Sequence, residues 1–183
     1  MKDKIYFITG NPNKYLEIKK IIPNLEMKTL ELDEIQSDDS KQIIKHKLNE
    51  ASKYFPNKNI LVEDTRIHLD CLNGFPGPFI KWFLKKNSLE KIYEMSYKLE
   101  NRNIQVKTII GYRNSNQEDY FFQVEVKGII VESRGRNNFG FDPIFLPEGY
   151  IQTFGEMSKE EKNKISHRGL TIKSLKEFLN KVK

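Results

Sequence analysis

The junction at residues 5–17 limits what this chain can fold into more than any other segment. Ile5-Tyr6-Phe7-Ile8 is a short apolar run with the β-branched content of a buried strand. It breaks at Thr9-Gly10 and passes into a helical pattern that sets Tyr15, Ile18, Ile21 and Ile22 on one face. Asn11 suits the N-cap and Pro12 the first helical position. Lys14 then falls in the first turn, where a cation meets the positive end of the helix dipole. Two readings fit. An anion held jointly by backbone N–H groups, the dipole and the lysine explains the placement; a capped surface helix with a stray lysine leaves it without a purpose.

Residues 26–32 predict a second strand, left through Asp33-Glu34-Ile35-Gln36 and the acidic turn Ser37-Asp38-Asp39-Ser40. A helix over about 40–54 carries Ile43, Ile44, Lys47, Leu48 and Ala51 on one side. Lys47 reads as a snorkelling lysine at the edge of the core, against the alternative of an inward cation aimed at a bound anion. The apolar run 59–65 predicts a strand that ends in Glu63-Asp64-Thr65. In open α/β sheets ligands collect at the carboxyl ends of strands, so the first strand and this one would bring a phosphate cradle and an acid pair to one edge. Successive strand residues point to opposite faces, so Glu63 and Asp64 cannot both address one point. One suits a hard cation such as Mg²⁺, which takes few protein carboxylates and fills its shell with water and phosphate. The other is then structural. A plain charged turn is the competing reading.

Beyond this point Ile67-His68-Leu69-Asp70-Cys71-Leu72 alternates as a short strand with His68 on the polar side. Helices are predicted over 78–84 and 88–99, the second with Ser88 as N-cap. Two long strands, 105–112 and 119–131, flank a hairpin turn at Asn114-Ser115-Asn116. The connection 134–145 is rich in glycine and aromatics, the composition of a functional loop; Phe139 and Phe141 fit a base-stacking role or a place in the core. Ser158-Lys159-Glu160-Glu161 is a capping box. Ser166 is expected to cap a last helix whose stripe is Ile172, Leu175, Phe178, Leu179 and Val182, with His167 and Arg168 in its first turn. These are again cations at a positive helix end, which points to a shared anionic or electron-rich ligand.

The whole-chain properties narrow the class. The length of 183 residues suits one domain with a real core, and 38% hydrophobic with 11% aromatic content suits a folded, soluble chain. No apolar run approaches a membrane span, and the opening Met-Lys-Asp-Lys-Ile lacks the apolar core of a signal peptide. Cys71 is the sole cysteine, which excludes an internal disulfide and fits a reducing, cytoplasmic setting. The net charge of +6 favours acidic partners such as nucleotides, nucleic acid or a membrane surface.

Taken together, six segments resemble the inosine triphosphate pyrophosphatase family, in that family's order and over nearly the whole chain. They are Thr9-Gly10-Asn11-x-x-Lys14-x-x-Glu17, Glu63-Asp64-Thr65, the run from Leu72-Asn73-Gly74-Phe75-Pro76-Gly77 through Pro78-Phe79-Ile80-Lys81-Trp82-Phe83, Phe139-Gly140-Phe141-Asp142-Pro143, Phe154-Gly155-Glu156-Met157, and Glu161-Lys162-Asn163-x-x-Ser166-His167-Arg168. The Pro78-Phe79-Ile80-Lys81-Trp82-Phe83 version is similar to the eukaryotic branch. Arg66 departs from the small residue common after the Asp-Thr pair, Phe141 from a tryptophan or tyrosine, and Gly155 from an alanine.

The resemblance implies an α/β fold for residues 1–183 as a single domain: two lobes, a long twisted mixed sheet with helices on its faces, and an active-site cleft between the lobes. It also implies a homodimer, dependence on Mg²⁺, and no stable nucleic-acid or membrane association. The implied activity is hydrolysis of deaminated purine nucleoside triphosphates (ITP, dITP, XTP) to the monophosphate and pyrophosphate. On matching positions, Thr9, Gly10, Asn11 and Lys14 would hold the triphosphate with Lys47 and Lys81, Lys14 also serving the chemistry. Glu34 and Asp64 would bind Mg²⁺, and Asp64 would orient or activate water. Phe139 and Gly140 would meet the purine, and Asp142, Lys162, Ser166, His167 and Arg168 would line the base pocket. An arginine donor opposite O6 accepts a 6-keto purine and is left unpaired by adenine, a mismatch that discriminates strongly. Two other readings fit the composition. One is a related Mg²⁺-dependent nucleotide hydrolase with another base preference; the other is a basic single-strand-binding module, which leaves the strand-end carboxylates unexplained.

Overall fold

Local capping fixes where the first elements begin. In the computed structural model, which describes residues 3–33, 35–136 and 139–182, β1 (Ile5–Ile8) gives way to α1 (Pro12–Lys19) through Asn11. The Asn11 Oδ1 accepts from the backbone N–H groups of Asn13 and Lys14 at 3.0 and 3.3 Å. There follow β2 (Leu25–Lys28), α2 (Ser40–Tyr54), β3 (Asn59–Leu69), β4 (Pro76–Gly77), α3 (Ile80–Lys86) and α4 (Leu89–Lys98). The chain continues through β5 (Asn103–Arg113), β6 (Asp119–Ile130), β7 (Phe145–Pro147), α5 (Lys159–Ile165) and α6 (His167–Lys181). The strands form one seven-stranded sheet in the order β2-β1-β3-β5-β6-β7, with β4 paired to β3. β1 runs parallel to β2 and β3, whereas β4 on β3 and β7 on β6 are antiparallel, so this is an α/β fold on an open, mixed sheet.

Two compact units share these strands. The first comprises Met1–Asp64, Thr108–Val124 and Arg168–Lys183; the second comprises Thr65–Lys107 and Glu125–His167. Within the first unit, strand alternation sorts the core into two layers. Phe7, Leu61, Ile110 and Tyr112 pack with Ile18 of α1 and with Ile172 and Leu175 of α6. Ile8, Ile60, Val62 and Ile109 pack with Ile44, Leu48 and Ala51 of α2. The second unit is built on Ile67 and Leu69 of β3, Ile104 and Val106 of β5, Ile80, Ile92 and Ile130. Phe141, Ile144, Phe145, Phe154 and Met157 complete its core.

Three elements differ from their sequence expectation. β2 covers only Leu25–Lys28, because its partner β1 ends at Ile8, whose register mate is Lys28. Leu30 and Leu32, expected in that strand, instead pack as irregular chain against the α2 layer. β3 does not end at Thr65 but runs on to Leu69, absorbing the separate short strand, since β4 pairs with Ile67 and His68. Glu63 and Asp64 therefore lie within a strand, just past the last residue paired to β1, Leu61. α1 stops at Lys19, ahead of Pro23, so Ile21 and Ile22 complete its stripe from a turn that bonds back to the Ile18 carbonyl. The helices over 40–54 and 88–99, the hairpin of β5 and β6, and the Ser158 capping box form as the pattern predicts.

α2 approaches the sheet closely because β5 carries glycine beneath it. A Cβ on Gly111 would lie 2.3 Å from Ile44 Cγ2 and 2.9 Å from Leu48 Cδ1. Gly111→Ala is expected to lower stability by about 1–3 kcal/mol through overpacking. A shifted urea midpoint with an unchanged denaturant slope would register it; an unaltered midpoint would show that α2 relaxes without cost.

Candidate active site

Strand alternation dictates which helix each carboxylate of β3 meets. Glu63 shares the face of Leu61 and is directed to α1 and α6; Asp64 shares the face of Val62 and is directed to α2. Arg168, in the first turn of α6, donates to Glu63 through Nε at 3.2 Å and Nη2 at 3.1 Å, and to Glu17 of α1 through Nη1 at 2.5 Å. Lys14 places its ammonium 3.5 Å from Glu63 Oε1. On the other face, Lys47 Nζ donates to Asp64 Oδ1 at 3.2 Å. Lys47 is buried, so the inward cation, and not the snorkelling one, is what forms; its partner is a carboxylate from the strand beneath.

Burial moves the Lys14 ammonium below its ordinary pKa. The nearby Arg168 charge adds to this, and Glu63 and Asp64 only partly oppose it. Burial also opposes charge on Arg168, but the attraction of Glu63 and Glu17 outweighs it and the guanidinium is held more firmly protonated than usual. Thr9 and Asn11 shape the approach to α1: Thr9 Oγ1 accepts from the Asn11 N–H at 3.1 Å, and Gly10 is exposed with open space where a Cβ would stand.

The second unit gathers a different group. Lys162 of α5 donates to Asp142 Oδ2 at 2.6 Å, each side chain only 2% exposed. The Lys162 ammonium stands 5.1 Å from the ring centre of Phe139 and 5.7 Å from that of Phe154. The His167 ring lies against Phe141 and Phe154, at 5.9 and 6.3 Å between centroids. Of the two loop aromatics, Phe141 is core and Phe139 stays half-buried beside the lysine. Backbone bonds from Arg134 N–H to the Pro143 carbonyl and from Gly155 N–H to the Asp142 carbonyl hold this loop. Gly155 permits the approach, since a Cβ there would meet the Arg134 carbonyl oxygen at 2.5 Å. Ser166 is buried and extended between α5 and α6, and exposed Gly140 carries a positive φ of 62°. Lys81 opens α3 on an exposed turn, its ammonium 5.8 Å from the Trp82 ring centre.

The model described as the Ham1 family matches residues 5–178. The chain belongs to the Ham1 family. It is similar to the inosine triphosphate pyrophosphatases of Kluyveromyces lactis (40% identical over 187 residues, 97% of this chain and 96% of that protein) and Saccharomyces cerevisiae (40% over 189 residues, with the same coverage). Among solved structures, a HAM1 protein from Coxiella burnetii superposes with a TM-score of 0.80 at 25% identity, covering 98% of this chain and 99% of that one. The Staphylococcus aureus Ham1 protein gives 0.77 at 27% identity, covering 98% and 100%. The Ham1 match spans every segment that carries the two charged groups, from Thr9 to Arg168.

Several expectations for Ham1 site residues meet specific geometry. All three guanidinium nitrogens of Arg168 are engaged by Glu63 and Glu17, so donation to a base would require it to share those bonds. Arg66 is a buried residue of β3 and not part of a loop. Glu34 lies outside the described residues. Among the described residues no three His, Cys, Asp or Glu side chains converge to enclose a metal. Asp64, a hard oxygen donor with a partly exposed side chain, fits the alternative kind of site, in which one or two carboxylates are supplemented by phosphate and water. Sequence reading left Glu63 as either a cation ligand or a structural carboxylate, and gave Glu17, a member of the first motif, no role of its own. The signal was present: Lys14 and Glu17 are one helical turn apart on the same side of α1, and Glu63 has the parity of Leu61.

A lysine whose pKa is lowered on folding binds fewer protons in the native than in the unfolded state. Its contribution to stability therefore rises with pH through the window between the lowered value and the ordinary 10.5. At neutral pH the charged form is a cost that folding bears. Lys14→Met is expected to leave the melting temperature at pH 7 unchanged or higher, and to flatten the rise in stability above neutrality; a clear fall in melting temperature would mark Lys14 as structural.

Proposed function

We propose that this chain hydrolyses deaminated purine nucleoside triphosphates, ITP, dITP and XTP, at the α–β phosphoanhydride, releasing the monophosphate and pyrophosphate. The observation that carries the reading is the pairing of Lys14 and Lys47 with adjacent carboxylates on opposite faces of β3, beside the capped start of α1. The names of the relatives, inosine triphosphate pyrophosphatases matched along almost their whole length, support it. We extend the proposal to a cytoplasmic homodimer that acts as one domain over residues 1–183 and forms no stable nucleic-acid complex. No helix among the described residues is long and apolar enough to cross a membrane.

In this reading Asp64 and Glu34 would hold a Mg²⁺ ion, which when bound would neutralise phosphate charge and favour attack by water. Thr9, Gly10, Asn11 and Lys14 receive the triphosphate at the positive end of α1, and Lys47 and Lys81 add charge for the departing pyrophosphate. Asp64 orients the attacking water at the α-phosphorus and takes its proton. Phe139 stacks on the purine, with Gly140, Ser166 and Arg168 bounding its site. Asp142 accepts from Lys162 and fixes it, so that its ammonium donates to O6, with His167 nearby. Adenine offers an N6 amino group there and leaves that donor unmatched.

Asp64→Asn is expected to fold normally and to lose at least a hundredfold in kcat for ITP, because a neutral amide holds a divalent cation more weakly than a carboxylate and does not accept the proton of water. Pyrophosphate release from ITP, XTP, dITP, GTP and ATP, with and without chelator, tests both residue and reaction. Wild-type kcat in the mutant would remove Asp64 from the chemistry, and salt-dependent nucleic-acid binding without turnover would overturn the reading as a whole.

Base choice is tested by removing the pair together, since a lone Asp142→Ala would leave a buried charge unmatched. Asp142→Leu/Lys162→Met removes a charge-assisted bond to O6 of roughly 1.5–3 kcal/mol, so kcat/KM for ITP should fall about ten- to a hundredfold. The value for ATP should barely move. Equal losses for both nucleotides would assign the pair to the fold.

A further inference from the structure

The proposed roles leave over Glu63 and Glu17, and Glu63 is the most buried of the three carboxylates Glu17, Glu63 and Asp64. Its side chain is 1% exposed, against 14% for Glu17 and 16% for Asp64. One oxygen, Oε1, serves two cations. It accepts from Arg168 Nε and Nη2 at 3.2 and 3.1 Å, and Lys14 Nζ stands 3.5 Å from it. Oε2 also accepts from Arg168 Nε, at 3.3 Å. The guanidinium is itself pinned from its far side by Glu17, so Glu63 is held rigidly.

Lys14 has another course open to it. Its side chain is 22% exposed, and a lysine at that depth ordinarily extends its ammonium to water. Here the ammonium turns inward, although it then shares its surroundings with the Arg168 charge and the positive end of α1. Lost hydration, the like charges of Arg168 and Lys47 and the dipole are accepted for the attraction of Glu63, with a lesser one from Asp64. Glu63 does not need Lys14 for hydrogen bonding, because Arg168 already grips both its oxygens. The direction of dependence therefore runs from the carboxylate to the lysine.

We propose that Glu63 is a positioning residue that fixes the Lys14 ammonium at the N-terminal end of α1, with Arg168 and Glu17 fixing Glu63 in turn. This rests on the reading of Lys14 as a triphosphate-holding group. Prepaid placement of a cation matters because an ammonium on a four-carbon stem otherwise loses rotamer freedom each time a phosphate binds. Glu63 does not touch the substrate; its effect on the triphosphate runs through Lys14.

A double-mutant cycle separates this from a general structural role. ITP hydrolysis is followed by pyrophosphate release for the wild type, Lys14→Met, Glu63→Gln and the combination. Glu63→Gln is expected to lower kcat/KM on the order of tenfold, as expected for a displaced charge-assisted contact. In the Lys14→Met background it should cost less than about twofold further, since the group it positions is gone. Glu63→Asp, which keeps the charge beside Arg168 but shortens its reach towards both cations, should reproduce the loss and replaces Glu63→Gln in the cycle if the latter does not fold. Losses that multiply in the double mutant overturn the positioning role while leaving Lys14 as a phosphate group. An unimpaired Lys14→Met, or a wild type that does not turn over ITP, overturns the underlying reading and this inference with it.

Discussion

A buried guanidinium between two carboxylates is the interaction on which the charged half of this molecule depends. Arg168 reaches Glu17 across 151 residues of sequence and Glu63 across 105, tying α6 to α1 and to β3. Each of these ions alone would carry a desolvation penalty of several kcal/mol, and the loss of any one leaves the others uncompensated. The group must therefore assemble as a unit. Its assembly explains why cations stand in the first turns of α1 and α6, where the helix dipoles oppose them. The opposition is outweighed by full carboxylate charges delivered from the central strand at close range.

That delivery depends on a property of extended chain as simple as period two. Leu61 and Val62 face different helical layers, so Glu63 and Asp64 do as well, and each meets the cation its layer supplies. This much was legible in the sequence: the apolar run before the acidic pair, the impossibility of both carboxylates facing one point, and the Asn11-Pro12 start that fixes the phase of Lys14. The capping box at Ser158 and the stripe of α2 were legible for the same reason, because short-range geometry decides them.

What sequence left open was decided by partners far along the chain. The length of β3 is set by β4, which pairs with Ile67 and His68, and nothing within 59–65 announces that neighbour. β2 is cut short by the end of β1. Lys47 looked like a snorkelling residue because a stripe shows that a side chain faces inward without showing what waits there; Asp64, seventeen residues on, turns the same position into an ion pair. The engagement of Arg168 by Glu17 and Glu63 was hidden likewise, since a cation in a helix's first turn advertises an anion but not whether the protein or a ligand provides it.

The Lys162–Asp142 pair sharpens that last distinction. Both side chains are almost wholly enclosed, within a core of phenylalanines that would accept an apolar pair in their place. Replacing a buried ion pair by well-packed hydrophobic residues is often neutral or stabilising, so stability does not account for it. The lysine's surroundings do. Its ammonium stands within about 6 Å of two aromatic ring centres, one of them the half-buried Phe139. The loop that carries Asp142 is bonded through its backbone at Asp142 and Pro143 and seated on a glycine that leaves no room for a methyl group. A charge fixed to that degree against aromatic faces has the rigidity that the proposed reading of a base edge needs, because a donor that cannot turn away penalises every ligand that fails to accept from it.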